Sequence, residues 1–283
     1  QPMESGKKSL EELTAAGVFH VPKYQRYYSW EEPEWEDLWR DLATLPKGKN
    51  HYFGTVIFQK TDKEVEGEKE YGFGGTTTEP VNELIDGQQR LTSLVLLTKS
   101  MVDHLKEIAP KTDYTENIQG EISDMEEALL MDDGIHFIEL LDEKDSKFLK
   151  RIVDGQSLTS PVRQSQRRMK EAKEYFDSQI SELREEKEPI NVANRLHRLW
   201  ENILNLELMA YVIEAGNPEQ ATLIFDSVND RGRDLSTLDK TKSFLMRTAY
   251  LVASSGGHVS HVIKIVRRAF GEMYDQHQRM IES

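Results

Sequence analysis

The feature that most constrains this fold lies between residues 81 and 108, where a short apolar strand passes into a helix without a linker. The strand-like stretch at residues 81–85 ends at Asp86, and Gly87 permits a sharp turn. From residue 88 to about residue 108, apolar residues recur at intervals of three and four, which predicts a helix. Such a junction leaves unpaired backbone N–H groups at the positive end of the helix dipole. The sequence therefore predicts an anion-binding corner at Gly87.

The side chains around this corner suit a ligand that carries phosphate. Asp86, at the end of the strand, could hold Mg²⁺ directly or through water. Arg90, in the first helical turn, can donate two parallel hydrogen bonds to a phosphate, while Gln88 and Gln89 can orient a water without adding charge. The alternative is an ordinary capping turn in which Asp86 caps the helix and the glutamines are solvated.

A second segment, residues 22–30, is rich in groups that stack and form hydrogen bonds. Three tyrosines, one tryptophan, Gln25 and Arg26 fall within seven residues. Such a cluster could stack on a nucleobase or on a base in DNA. The aromatic candidates for base recognition are Tyr24, Tyr27 and Trp30. The alternative is an aromatic cluster that packs the following helix, with Arg26 in a structural ion pair.

A third segment, residues 229–242, predicts a polar turn between helices at residues 219–228 and 238–252. Gly232 suits the end of the first helix. The polar side chains that could reach a ligand from this turn are Asn229, Arg231 and Lys242. The alternative is a connector between two helices that has no ligand.

The remaining segments predict a small α/β core extended by helices. A helix at residues 31–45 precedes a strand at residues 51–59 and a long hairpin connection at residues 61–80. Later elements are predicted helices at residues 163–186, 192–204 and 259–281 and a strand at residues 206–213. We expect an α/β (α+β) fold in three parts: a mixed-sheet core at residues 10–108, an acidic helical insert at 109–162, and a larger, mainly helical region at 163–283.

Charge and composition exclude several classes of protein. The net charge is −14, and the first 160 residues carry all of the excess, with 18 basic and 32 acidic residues. An acidic surface repels phosphate at long range, so we expect local basic sites rather than wholesale coating of DNA. The chain has no cysteine and no Walker A loop, which excludes thiolate metal sites and a P-loop nucleotidase. Because no long apolar run is present, we expect a cytoplasmic protein with no membrane partner.

Four segments, taken in order, resemble the N-terminal domain of the GmrSD-type restriction endonucleases, which are modification-dependent (type IV) enzymes of the ParB-like superfamily. The matching motifs are Pro22 to Trp30, Phe53-Gly54-Thr55, Ile85 to Thr92 and Asn229 to Lys242. Together they span about residues 10–250. One departure is Ser243, where the family usually has Asn.

The resemblance implies a ParB-like core that binds a nucleoside triphosphate, most often GTP, together with Mg²⁺. The implied nucleotide-binding residues are Gln25, Arg26, Gly54, Thr55, Gly87, Arg90, Asn229, Arg231 and Lys242. The implied catalytic residues are Asp86, Gln88, Gln89 and Arg90, with Asp86 also at the metal. In this family a separate HNH nuclease domain or subunit usually cuts the DNA.

Two main functional hypotheses follow. The leading one is an NTP-hydrolysing sensor module of an anti-phage restriction system, which gates the HNH nuclease on modified double-stranded DNA. The alternative is a module that recognises modified DNA without hydrolysis and relays this to a nuclease partner. A third, weaker hypothesis is a nuclease that uses the core itself, for which the sequence offers no convincing acidic–lysine constellation. Homo-oligomer formation is a further option.

Overall fold

The structure, a computed structural model, describes residues 3–23, 25–68 and 75–215, together with residues 265, 268–273 and 276. Within this part, the strands are β1 Gly6–Ser9, β2 Val18–Val21, β3 Tyr52–Glu68, β4 Thr76–Asp86, β5 Met131–Asp132, β6 Ile135–His136, β7 Ile138–Leu140 and β8 Glu207–Ile213. The α-helices are α1 Leu10–Thr14, α2 Glu32–Ala43, α3 Gln88–Ile108, α4 Thr115–Met125, α5 Glu143–Val153, α6 Gln164–Glu186 and α7 Pro189–Leu204.

In the described part of the chain, six strands form one mixed sheet in the order β1-β8-β3-β4-β2-β7. Strand β2 is parallel to both β4 and β7, whereas β3 is antiparallel to β4 and parallel to β8. The mixed sheet with its helices confirms the predicted fold class. Because β2, β4 and β7 share a direction, the loops that follow these three strands emerge at the same edge of the sheet.

Helix α3 forms the centre of the core. Its bounds, Gln88–Ile108, are those that the apolar spacing predicts. Leu91, Leu94 and Met101 are fully buried, and α3 packs against α4, α5, α6 and α7. One face of the sheet belongs to the same cluster, with Phe19 on β2 and Phe58 on β3 in edge-to-face contact at 5.2 Å between ring centroids. The corner at Gly87 is therefore fixed between a sheet and a buried helix.

The predicted hairpin forms, but its connection is much shorter than the predicted residues 61–80. Strand β3 continues to Glu68 and β4 begins at Thr76, and the two strands remain paired as far as Glu68 opposite Thr76. This outer ribbon is charged and largely exposed, so it has no alternation of apolar and polar residues to mark it as strand. The backbone hydrogen bonds between β3 and β4 hold this ribbon together instead.

The acidic segment at residues 109–162 is less purely helical than expected. It contains α4 and α5 but also three short strands, one of which, β7, joins the main sheet beside β2. A strand of three residues is too short to show a period in the sequence. Residues 216–264, which include the predicted helices at 219–228 and 238–252, lie outside the described residues.

Candidate functional site

The predicted corner forms where β4 ends and α3 begins. Gly87 has φ of 107°, in the left-handed region, and is the N-cap of α3. A Cβ at this position would lie 3.1 Å from Val56 Cγ2, so the turn requires glycine both for its backbone angle and for its close approach to β3. Among the described residues no side chain caps the helix, and its first backbone bond runs from Leu91 N–H to the Gly87 carbonyl. The amides of the first turn are thus available to an anion.

Strand β3 brings a second predicted motif to the corner. The guanidinium of Arg90 donates through Nη1 to the Thr55 carbonyl oxygen at 3.1 Å. Gly54, with φ of 108°, lies where the pairing of β3 with β8 shifts register. The shift is a bulge of the kind that often re-aims a strand beside a site. Gly54, Thr55, Gly87 and Arg90 are therefore neighbours in the structure.

Two buried glutamines attach the loop after β2 to the same corner. Gln25 Nε2 donates to the carbonyl oxygen of Ile85 at 2.5 Å. Gln89 accepts from the Ser29 N–H at 2.8 Å through Oε1 and donates to the Tyr27 carbonyl at 3.0 Å through Nε2. Both side-chain amides are hydrogen-bonded to backbone atoms, so Gln25 and Gln89 hold the loop after β2 against the corner.

Three other predicted side chains at the corner make no hydrogen bond to the described part of the protein. Asp86 and Gln88 are partly exposed and Arg26 is exposed. Within the part of the chain that the structure describes, none of these side chains has a hydrogen bond or an ion pair. A carboxylate, an amide and a guanidinium are therefore free to meet a ligand where the helix starts.

The aromatic cluster is used mostly for packing. The Tyr28 hydroxyl is hydrogen-bonded to Ser93 Oγ at 2.8 Å and accepts from Trp35 Nε1 at 2.9 Å, and burial raises the pKa of Tyr28 far above its usual value. Trp30 packs against the core. Arg163 lies over the Tyr27 ring, 5.2 Å from its centroid. In the described residues these rings do not form an open stacking surface, and Tyr24 lies outside those residues.

An acidic pair that the sequence analysis missed faces the same loop. Asp142, the N-cap of α5, accepts from Arg163 Nη1 at 2.7 Å and from the Tyr27 hydroxyl at 3.4 Å. Asp145 is 1% exposed; its Oδ1 accepts from Gln166 at 3.2 Å, and its Oδ2 has no partner among the described residues. Burial raises the pKa of Asp145 to about 6, and Arg163 opposes that shift. In the sequence, Asp142 is recognisable only as a capping residue three positions before a second acid, which does not place either carboxylate near Tyr27.

A narrow cleft connects these groups. Its volume is about 30 Å³, which is room for one or two waters. The polar side chains that line it include Gln25, Arg26, Tyr27, Gln88, Asp142 and Asp145. A nucleotide is far larger, so it would have to lie across the mouth of the cleft or displace the loop.

A metal ion would have few protein ligands here. The described residues contain no group of three or more His, Asp or Glu side chains able to hold one. Asp86 is a single carboxylate without a partner, which fits the usual Mg²⁺ arrangement of one or two carboxylates, several waters and the phosphates of the substrate. It does not fit a metal bound by the protein alone.

The other predicted contacts fall elsewhere. Asn229, Arg231 and Lys242 lie outside the described residues, so the structure does not place them relative to the corner.

Among the helices that are described, none combines the length and the apolar character needed to cross a membrane.

Comparison with known proteins supports the resemblance seen in the motifs. A search of curated proteins finds no match. The family model described as "GmrSD restriction endonuclease, N-terminal domain" matches residues 7–246, which is most of the chain and includes all four motifs. The chain belongs to this family, the N-terminal domain of GmrSD restriction endonucleases, and its role is in a restriction system.

Proposed function

We propose that this chain is a nucleoside triphosphate-binding and -hydrolysing module, with GTP as the favoured nucleotide. In the proposal it senses modified double-stranded DNA and gates a separate HNH nuclease domain or subunit. The observation that carries it is the uncapped start of α3 at Gly87, with the uncommitted side chains of Arg26, Asp86 and Gln88 around it. Its place in a restriction family makes DNA the natural partner.

The corner offers separate groups for each part of a triphosphate. The first amides of α3 and the Arg90 guanidinium would bind phosphate oxygens, and Arg26 would cover the ligand from the loop after β2. Asp86 would hold Mg²⁺, which would neutralise phosphate charge when bound. Phosphoryl transfer depends chiefly on positioning and charge stabilisation, and in the proposal these residues would supply both.

Gln88 is the residue we assign to the attacking water. Its amide is uncommitted, whereas Gln89, the other predicted candidate, bonds the backbone at Tyr27 and Ser29. Gln88 would accept a hydrogen bond from the water and hold it against the terminal phosphate. Asn229, Arg231 and Lys242 remain proposed as second contacts to the nucleotide.

The narrowness of the cleft favours one competing function. A cleft of about 30 Å³ is too small to enclose a nucleotide, so the competing function is a module that binds DNA and relays the event to a nuclease without turnover. Such a module would bind modified duplex in a salt-dependent manner and release no phosphate from any NTP.

Phosphate release from the four NTPs, measured with and without modified DNA, separates the two functions. We expect wild-type protein to release phosphate and Gln88→Ala to be slowed by about 100-fold, since the water loses its positioning group. Gln119→Ala is the matched control because Gln119 is an exposed glutamine on α4. Unchanged release by a folded Gln88→Ala protein would contradict the assignment, and no release by wild type would favour the relay.

A further inference from the structure

A broad groove lies away from the cleft, between the C-terminal half of α2, the α2–β3 connection and α7. Its volume is about 590 Å³, much larger than that of the cleft. Four cationic side chains line it: Lys47, Lys49, Arg195 and Arg198. These four cations lie together in a chain whose net charge is −14.

Three of these cations have no neutralising partner among the described residues. Lys47, Lys49 and Arg198 are exposed and have no ion pair in the described part of the chain. Many other cations do pair, as Lys150 does with Glu139 at 2.9 Å. The groove does contain acidic Glu201, which lies 3.7 Å from His197. Its net charge is still positive.

The walls of the groove are held at a fixed separation. Arg195 Nη2 donates to the Ala43 carbonyl at 2.7 Å, and Asn202 Nδ2 donates to the Leu42 carbonyl at 3.0 Å. These bonds satisfy carbonyl groups at the end of α2, which otherwise lack helical partners. They also join α2 to α7, so the groove is a built feature of the fold.

The occupant that fits best is a linear polyanion. Lysine side chains bind phosphate as point charges, and a phosphodiester chain is a linear series of such charges. The aromatic cluster at residues 24–30, the predicted DNA contact, is largely taken up by packing in its described part. A DNA-sensing chain therefore needs another contact surface.

We propose that the groove between α2 and α7 binds the phosphodiester backbone of double-stranded DNA through Lys47, Lys49, Arg195 and Arg198. The inference rests on the proposed role of DNA as partner and is independent of nucleotide hydrolysis. Backbone contacts of this kind position the duplex and add affinity without reading sequence. Recognition of the modification itself is left to other residues.

The salt dependence of DNA binding tests the proposal. Fluorescence anisotropy with a short labelled duplex gives the slope of log K against log salt for wild type and for the double variant Lys47→Ala/Lys49→Ala. Each lost phosphate contact removes about 0.9 from the slope, so we expect a decrease of about 1.8 and binding at least about tenfold weaker at low salt. Lys63→Ala/Lys111→Ala is the matched control, since both lysines are exposed and unpaired in the described residues.

The outcomes separate this proposal from the proposed function. A slope that falls only in the groove variant, with phosphate release in the absence of DNA unchanged, supports it. If the groove variant and the control variant have equal slopes of log K against log salt, the groove assignment is overturned, but DNA remains the proposed partner. If wild type binds no duplex, or binds polyglutamate in preference to duplex, both the groove assignment and the DNA role fall, whereas hydrolysis is judged by its own assay.

Discussion

At the scale of single residues, amide side chains set the shape of the site. Gln25 and Gln89 use their hydrogen-bonding groups on backbone atoms of Ile85, Tyr27 and Ser29. Losing such a partner leaves a buried backbone group unsatisfied, which costs about 1–3 kcal/mol. Adjacent glutamines in one motif therefore differ: Gln89 holds the loop, whereas Gln88 is the residue that we propose for the ligand.

Asp145 gives a pH-dependent prediction at this scale. Burial raises the pKa of Asp145 from 3.8 to about 6, so the folded state binds a proton more tightly than the unfolded chain between these values. The free energy of unfolding should then fall as the pH rises through this window. For this one group the expected fall between pH 5 and pH 7 is about 1 kcal/mol.

The variant Asp145→Asn isolates that effect in urea unfolding at the two pH values. Asn keeps the size of the side chain and can accept from Gln166, but it does not titrate. We expect the stability of wild type relative to the variant to be lower at pH 7 than at pH 5. Asp113→Asn, at an exposed acid, should show no such difference. Parallel profiles for wild type and Asp145→Asn would show that the buried carboxyl does not titrate in this range.

At the scale of elements, the turn between β4 and α3 is the part on which the site depends most. The variant Gly87→Ala would place a Cβ 3.1 Å from Val56 at a φ of 107°. We expect a loss of about 1–3 kcal/mol in unfolding free energy, because the residue must adopt a strained backbone angle. We also expect nucleotide affinity to fall, since relief of the contact would tilt the helix start.

Gly134→Ala is the control for that experiment. Gly134 lies in the turn between β5 and β6 and also has a positive φ, 81°, but no atom lies within 4 Å of the position that a Cβ would take. The variant Gly134→Ala should lose unfolding free energy through backbone strain alone and keep the nucleotide affinity of wild type. Gly87→Ala with wild-type stability and affinity would refute the need for glycine at the corner.

Local sequence predicts some of these elements well. Helix α3 is predicted from residue 88 to about residue 108 because a glycine precedes it and an apolar period runs through it. The outer halves of β3 and β4 are not predicted, because their charged residues lack a buried face to impose a period. Strand β7 is too short to carry any pattern.

The candidate site also has one part that local sequence predicts and one part that it does not. Asp86, Gly87, Gln88 and Arg90 are close together in the sequence, so one motif places them together. Asp142 and Asp145 reach the loop at Tyr27 only because β7 pairs with β2 and carries α5 to that edge of the sheet. No local pattern encodes that pairing, so these acids could not be assigned from the sequence.

At the scale of the whole molecule, the corner and the groove are connected by the start of β3. The groove loop ends just before β3 begins at Tyr52, and Thr55 in that strand accepts the hydrogen bond from Arg90. In our proposals this acidic chain therefore has two local phosphate sites, one for a nucleotide and one for a DNA backbone. Their separation lets each be removed by mutation without the other.

The most direct measurement is a crystal structure with a non-hydrolysable GTP analogue and Mg²⁺. We expect phosphate oxygens within hydrogen-bonding distance of the amides of Gln88, Gln89 and Arg90, with the metal beside Asp86. A triphosphate bound elsewhere, with the start of α3 still unoccupied at saturating ligand, would contradict the central claim that the Gly87 corner binds the nucleotide.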